Sequence, residues 1–188
     1  MTHPSPREAL AERGDSVQSQ AFLATHRGQA AFAREYARLI AAIMADATMI
    51  GKMDPERVPV IRQSPERVIV QLGQVAMTVA WLRKGGESAA IGELLFIYWK
   101  GTIAPRGGDP TEYNARRKVV VPPTILWEET LVAFALTETA WTWRTAKGDV
   151  EGVTSPTLAE RCVRRLTALQ DDETAVPVES LSLVTDTI

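Results

Sequence analysis

The chain has 188 residues, 45% of them hydrophobic and 23% charged, with a formal net charge of -2. That balance excludes overall disorder, a membrane-spanning chain, a globally basic nucleic-acid coat and a globally acidic mimic of DNA. One cysteine, Cys162, and two histidines, His3 and His26, leave no intrachain disulfide, no cysteine-built zinc site and no histidine pair for a metal.

Residues 1–15 read as a flexible lead with Pro4 and Pro6 and without the apolar stretch of a secretory signal. The longest apolar runs, such as Leu39 to Ala45, fall far short of the roughly 20 residues that span a bilayer. With one free thiol and no export signal, the expected location is the cytoplasm. Arginine outnumbers lysine 16 to 5, which fits a bacterial genome rich in G and C by compositional association.

Ser16 to Ile50 predicts helix. Phe32, Tyr36, Leu39, Ile40, Ile43 and Met44 recur at spacings of three and four and so share one stripe. The His26-Arg27-Gly28 triplet is where this run would divide. Gly51 is the expected stop, with Pro55 soon after. From Val58 the pattern becomes extended. Val58 to Ile61 reads as a short edge strand, because Pro59 lacks a donor. Arg67 to Leu72 is the next strand and Gly73 a bend. Val75 to Arg83 follows, with Val75, Met77, Val79 and Trp81 on one face.

Lys84-Gly85-Gly86-Glu87 is a turn signal. Glu93 to Ile103 places Leu94, Phe96 and Tyr98 on one face and Leu95, Ile97 and Trp99 on the other, with a bulge or kink at Gly101. Pro105 to Lys118 is a long polar connection. Val119 to Val121 is extended, and Pro122-Pro123 interrupts it. Thr124 to Leu136 and Trp141 to Thr145 are strands joined near Thr137 to Ala140, and Lys147-Gly148-Asp149 ends the sheet. Ser155 as N-cap and Pro156 at N1 open a last helix, with Leu158, Cys162, Leu166 and Leu169 on one face.

The expected class is therefore α+β: an antiparallel sheet of about five to seven strands, flanked by an N-terminal helical segment and a C-terminal helix. Residues 16–169 form one domain. Residues 170–188 form an acidic tail holding Asp171, Asp172, Glu173, Glu179 and Asp186 and no basic residue. Several strands are apolar on both faces. Such a sheet is covered twice, strongly curled, or paired with another subunit.

No phosphate-binding glycine loop, Rossmann fingerprint, H-E-x-x-H or nucleophile elbow is present. Glu128 and Glu129 point to opposite faces of a strand and cannot face each other as acid and base. The inward one is a candidate general base only if burial tunes it. The ordinary outcome is that one points to solvent and the other pairs with a base such as Lys100 or Arg144. Lys100, at a strand end, is weighed as a desolvated nucleophile against a snorkelling stem. His26 lacks a partner motif, and Cys162 lies on an apolar stripe and reads as inert packing.

All five tryptophans fall in predicted strands. Trp141 and Trp143 share a face that serves either packing or a ligand platform. Arg106, Arg116, Arg117 and Lys118 are the densest local positive charge, suited to phosphate or an acidic partner. These six are the candidate ligand- or partner-binding residues. No catalytic residue, metal site or cofactor is expected.

The function expected is that of a non-catalytic cytosolic interaction or accessory protein, working through an unidentified protein partner, with a homodimer as one form of pairing. The first alternative is a small-molecule-binding or enzymatic domain with a tryptophan-lined pocket. The second, disfavoured, is nucleic-acid association through the 105–118 loop. The tail segment Val176 to Val184 is a further candidate for strand addition to a partner.

Overall fold

The computed structural model describes residues 17–83, 90–103, 122–135, 137, 139–145 and 152–175. Among these, three helices flank a six-stranded sheet. The helices are α1 (17–24), α2 (His26–Met53) and α3 (Ser155–Ala175). The strands are β1 (Val60–Ser64), β2 (Arg67–Leu72), β3 (Val75–Arg83), β4 (Gly92–Lys100), β5 (Thr124–Ala135) and β6 (Trp141–Thr145). Every neighbouring pair is antiparallel, and spatial order equals chain order. The sheet is thus a meander, and this order holds even though residues 101–123 separate β4 from β5. The α+β expectation holds.

The long N-terminal helical run divides at Thr25, one residue before the triplet expected to break it. Thr25 is extended and its hydroxyl accepts from the Gly28 amide, a conventional N-cap. A Cβ on Gly28 would lie 2.0 Å from the Phe22 carbonyl oxygen, so the sharp corner between α1 and α2 needs glycine for space. Gly51 does not stop α2. The helix runs on to Met53, where Asp54 turns extended and Pro55 cannot continue it. Gly51 instead lies where Val58 and Pro59 pass close beside the helix.

β2 and β3 have the expected bounds, but the first strand is Val60–Ser64 and not Val58 to Ile61, with Pro59 before it, and the fourth ends at Lys100 and not at Ile103, because Gly101 turns the chain back. Val68, Val70 and Leu72 of β2, Val75, Met77, Val79 and Trp81 of β3, and Leu94, Phe96 and Tyr98 of β4 are all buried in one core. With them lie Leu39, Ile43 and Ala47 of α2 and Leu158, Cys162 and Leu166 of α3. Each fully buried large side chain of this set contributes on the order of 1.5–3 kcal/mol. The two long helices pack on each other and on this single face of the sheet. The predicted bend at Gly73 and kink at Gly101 both exist, with φ of +55° and +110°, conformations that favour glycine. A bulge also interrupts the β4–β5 register between Tyr98 and Trp99.

The last helix departs from expectation at both ends. Leu158 N–H donates to the Thr154 carbonyl, so the cap position falls on Thr154, and Ser155 is the first helical residue. At the other end the helix continues past Gln170 to Ala175. Asp171 pairs with Arg57 at 2.8 Å and Glu173 with Lys100 at 2.6 Å, so the first acids of the expected tail belong to the folded unit. Among the described residues no helix is long and apolar enough to cross a membrane, and no cluster of ligating side chains could hold a metal ion. Residues 1–15, the 84–87 turn, the 105–118 loop, Val119 to Val121, Lys147 to Asp149 and Val176 to Val184 lie outside the described residues.

Candidate interaction surface on the open face of the sheet

Alternation along the strands gives the second face as surely as the first. One row of cross-strand partners runs from β1 to β5: Arg62 opposite Ile69, Ile69 opposite Thr78, Thr78 opposite Ile97, and Ile97 opposite Glu128. The next row holds Ser64, Arg67, Ala80, Leu95 and Thr130. Beyond it, Val132 faces Arg144 on β6. No described helix packs on this face, and Ile69, Leu95, Ile97, Trp99 and Val132 stay only partly buried.

One end of the face is closed by its own chain. The Gln71 side chain rises from β2 and its Nε2 contacts the carbonyls of Gly73, Val75 and Gly101 at 2.9, 3.0 and 3.1 Å. Its Oε1 accepts from Ile103 N–H at 2.8 Å. This one amide holds residues 101–103 back over the sheet and explains why Gln71 and Ala76 are buried. The left-handed Gly101 makes the reversal possible. Between that turn and Arg67 lies a groove of about 540 Å³, floored by Ile69, Thr78, Ala80, Leu95, Ile97 and Trp99.

Two of the groove's polar side chains are committed to each other, while Arg67 and Thr102 also line it. Trp99 Nε1 donates to Thr78 Oγ1 at 3.1 Å, and Gln71 is spent on the turn. The Arg144 guanidinium lies 3.8 Å over the Phe134 ring, covering an otherwise apolar side chain. The volume falls in the range of ligand pockets, but such pockets add a few polar groups converging on the ligand. This floor offers a flat apolar area with charge at its margins, which is the composition of a docking face.

The candidates from sequence distribute as follows. Trp141 and Trp143 are 7% and 1% exposed on the helix-covered face, clustered with Phe32 and Trp81, so they serve packing and not an exposed platform. Trp99 is the tryptophan that the open face presents. Arg106, Arg116, Arg117 and Lys118 lie outside the described residues. Glu128 and Glu129 do point oppositely, with one of them in solvent, but the paired one has a different base from the two expected. Glu129 faces α3 and pairs with Arg161 at 3.0 Å, and Glu128 is exposed on the open face. Lys100 is half-exposed in its pair with Glu173, beside a hollow where Gln170 accepts from the Gln74 amide. Cys162 is buried, and burial pushes its thiol up to about 12. His26 is the first residue of α2.

Sequence reasoning missed a buried polar cluster. Ser155 Oγ donates to Glu35 Oε1 at 2.5 Å and accepts from Trp143 Nε1 at 2.8 Å, and Arg38 reaches Glu35 at 2.9 Å. It ties α2, β6 and the start of α3 together inside the core. The available signal was a carboxylate on the apolar stripe of α2, between Phe32 and Leu39. A second feature is the Tyr36 hydroxyl, which has no hydrogen-bond partner among the described residues. Burial, with Glu66 nearby, pushes it up to about 12.

Comparison with protein-family models, with curated proteins and with solved structures finds no match.

Proposed function

We propose that this chain is a non-catalytic interaction protein of the bacterial cytosol that docks a protein partner on the open face of its sheet. One observation carries the reading. The second face gathers Ile69, Ala80, Leu95, Ile97 and Trp99 outside the helix-packed core, with Thr78 and Trp99 satisfying each other among them and charge at Arg62, Arg67 and Glu128. A small-molecule site in the same groove would need several polar groups converging on the ligand, and here Thr78 and Trp99 satisfy each other, which leaves Arg67 and Thr102 among the lining side chains. Burial of this face against a partner would remove contiguous apolar surface from water at roughly 25 cal/mol per Å².

The test places a charge at the centre of the face. Full-length chain and Ile97→Glu, matched for melting temperature, serve as baits in extract of the native cells. The reading expects a stoichiometric partner, which can be the chain itself, on the first bait and its loss from the second. Equal recovery on both baits, or no association by the unmodified chain, refutes it.

A further inference from the structure

We infer that the occupant of the open face is a second copy of this chain, stacked about a two-fold axis that runs along β3. The inference rests on the interaction-surface reading above and names its partner. Its basis is the row Arg62, Ile69, Thr78, Ile97, Glu128, which the registers place straight across the sheet. Read from either end the row has the same shape: charge, isoleucine, threonine, isoleucine, charge. The end charges are opposite in sign.

A two-fold axis along β3, between two stacked sheets, reverses that row end for end. Arg62 of one copy then stands over Glu128 of the other, twice by symmetry. Ile69 meets Ile97, and Thr78 lies on the axis beside its own equivalent. Both sides of an isologous contact present the same patch, so the patch must complement itself; this row does, and the next sets Ser64 over Thr130 and Arg67 over Leu95, with Ala80 on the axis. Strands of the two sheets run in the same sense, which is the aligned class of sheet packing. Glu128 is exposed and has no ion pair among the described residues.

Two other pairings fit less well. A two-fold axis along the row would set Arg62 over Arg62 and Glu128 over Glu128. Edge-to-edge pairing of β1 with β1 about its midpoint would put Arg62, the central residue of that five-residue strand, opposite itself. Like charges placed directly opposite oppose pairing, and charge on an edge strand is a usual guard against it.

The area sets the strength. The 101–103 turn leaves about 20 Å of strand length open, and the five strands that superpose, β1 to β5, lie about 4.8 Å apart, so each copy offers on the order of 500 Å². The pair buries about 1,000 Å², near the smallest area of a specific interface. The dimer is therefore reversible and depends on concentration.

The experiment uses purified full-length chain alone, in sedimentation equilibrium over about 1–200 µM, where mass action resolves a reversible dimer. The unmodified chain should dimerise, and Ile97→Glu should be monomeric with its melting transition retained. Arg62→Glu and Glu128→Arg should each weaken association at least about tenfold, because each lost pair becomes a repulsion and occurs twice. The double exchange should restore it to within about threefold, an outcome that simple damage to the fold would not give. A monomer throughout, a dimer indifferent to Ile97→Glu, or a double exchange that fails to restore association overturns the inference. If the chain is monomeric but its bait still captures another protein through Ile97, only the self-association fails. If Ile97→Glu changes neither association, both readings fail.

Discussion

Replacing Ser155 by alanine removes one hydroxyl and takes a partner from two buried groups. Trp143 is 1% exposed and Glu35 6%, so water cannot substitute at either. Glu35 keeps Arg38 at 2.9 Å and loses one charge-assisted hydrogen bond, worth about 1.5–3 kcal/mol. The Trp143 indole N–H, 2.8 Å from the hydroxyl, would be left without an acceptor, at a further ~1–3 kcal/mol. Allowing for relaxation, the expected loss is about 3 kcal/mol. A serine that only capped its helix would cost about 1 kcal/mol. In a chain of this size 1 kcal/mol moves Tm by about 2–4 °C, so the cluster predicts a drop of about 6–12 °C. Calorimetry of the full chain, Ser155→Ala, Glu35→Gln and the double variant would measure it. The single effects should fail to add by at least about 1 kcal/mol, because Ser155→Ala removes and Glu35→Gln weakens the same bond. A loss near 1 kcal/mol for Ser155→Ala together with strict additivity would show that the hydroxyl is a cap and that the reasoning is wrong.

Alkaline pH should destabilise the fold. Burial raises the Cys162 thiol from its ordinary 9.0 to about 12, and raises the Tyr98 phenol as well. Between about pH 9 and 12 the unfolded chain has therefore lost protons that the folded chain keeps, so the contribution is fully present below pH 9 and declines as pH rises. Tm should fall steadily above about pH 9, and Cys162→Ala should soften the onset; a Tm that stays flat to about pH 11 would contradict this. Gln71→Leu should cost about 2 kcal/mol, because the 101–103 turn loses its side-chain anchor. It should also speed proteolytic cleavage near Thr102 at temperatures where the sheet is intact, and unchanged cleavage would show that the backbone alone holds the turn.

Period and alternation determined much of this protein without any structure. The β2 and β3 boundaries, the facing of β4, and the assignment of all five tryptophans to strands followed from residue order, since side-chain period is a local property. So did the antiparallel class of the sheet, because short turns join several of its strands; the strand order did not, since residues 101–123 separate β4 from β5. Tertiary structure decided what local pattern could not carry. Ser155 reads as an N-cap in its own sequence, and only the approach of Glu35, 120 residues away, turns its hydroxyl into the core. Gly51 reads as a stop, yet the helix continues until Asp54 and Pro55 end it. Trp141 and Trp143 could equally have faced solvent, because alternation fixes that they share a face and not which face the helices cover. The same limit hid the open surface. The pairing of Arg62 with Ile69 and of Ile97 with Glu128 depends on register between strands, and register is settled by contacts between segments, not within them.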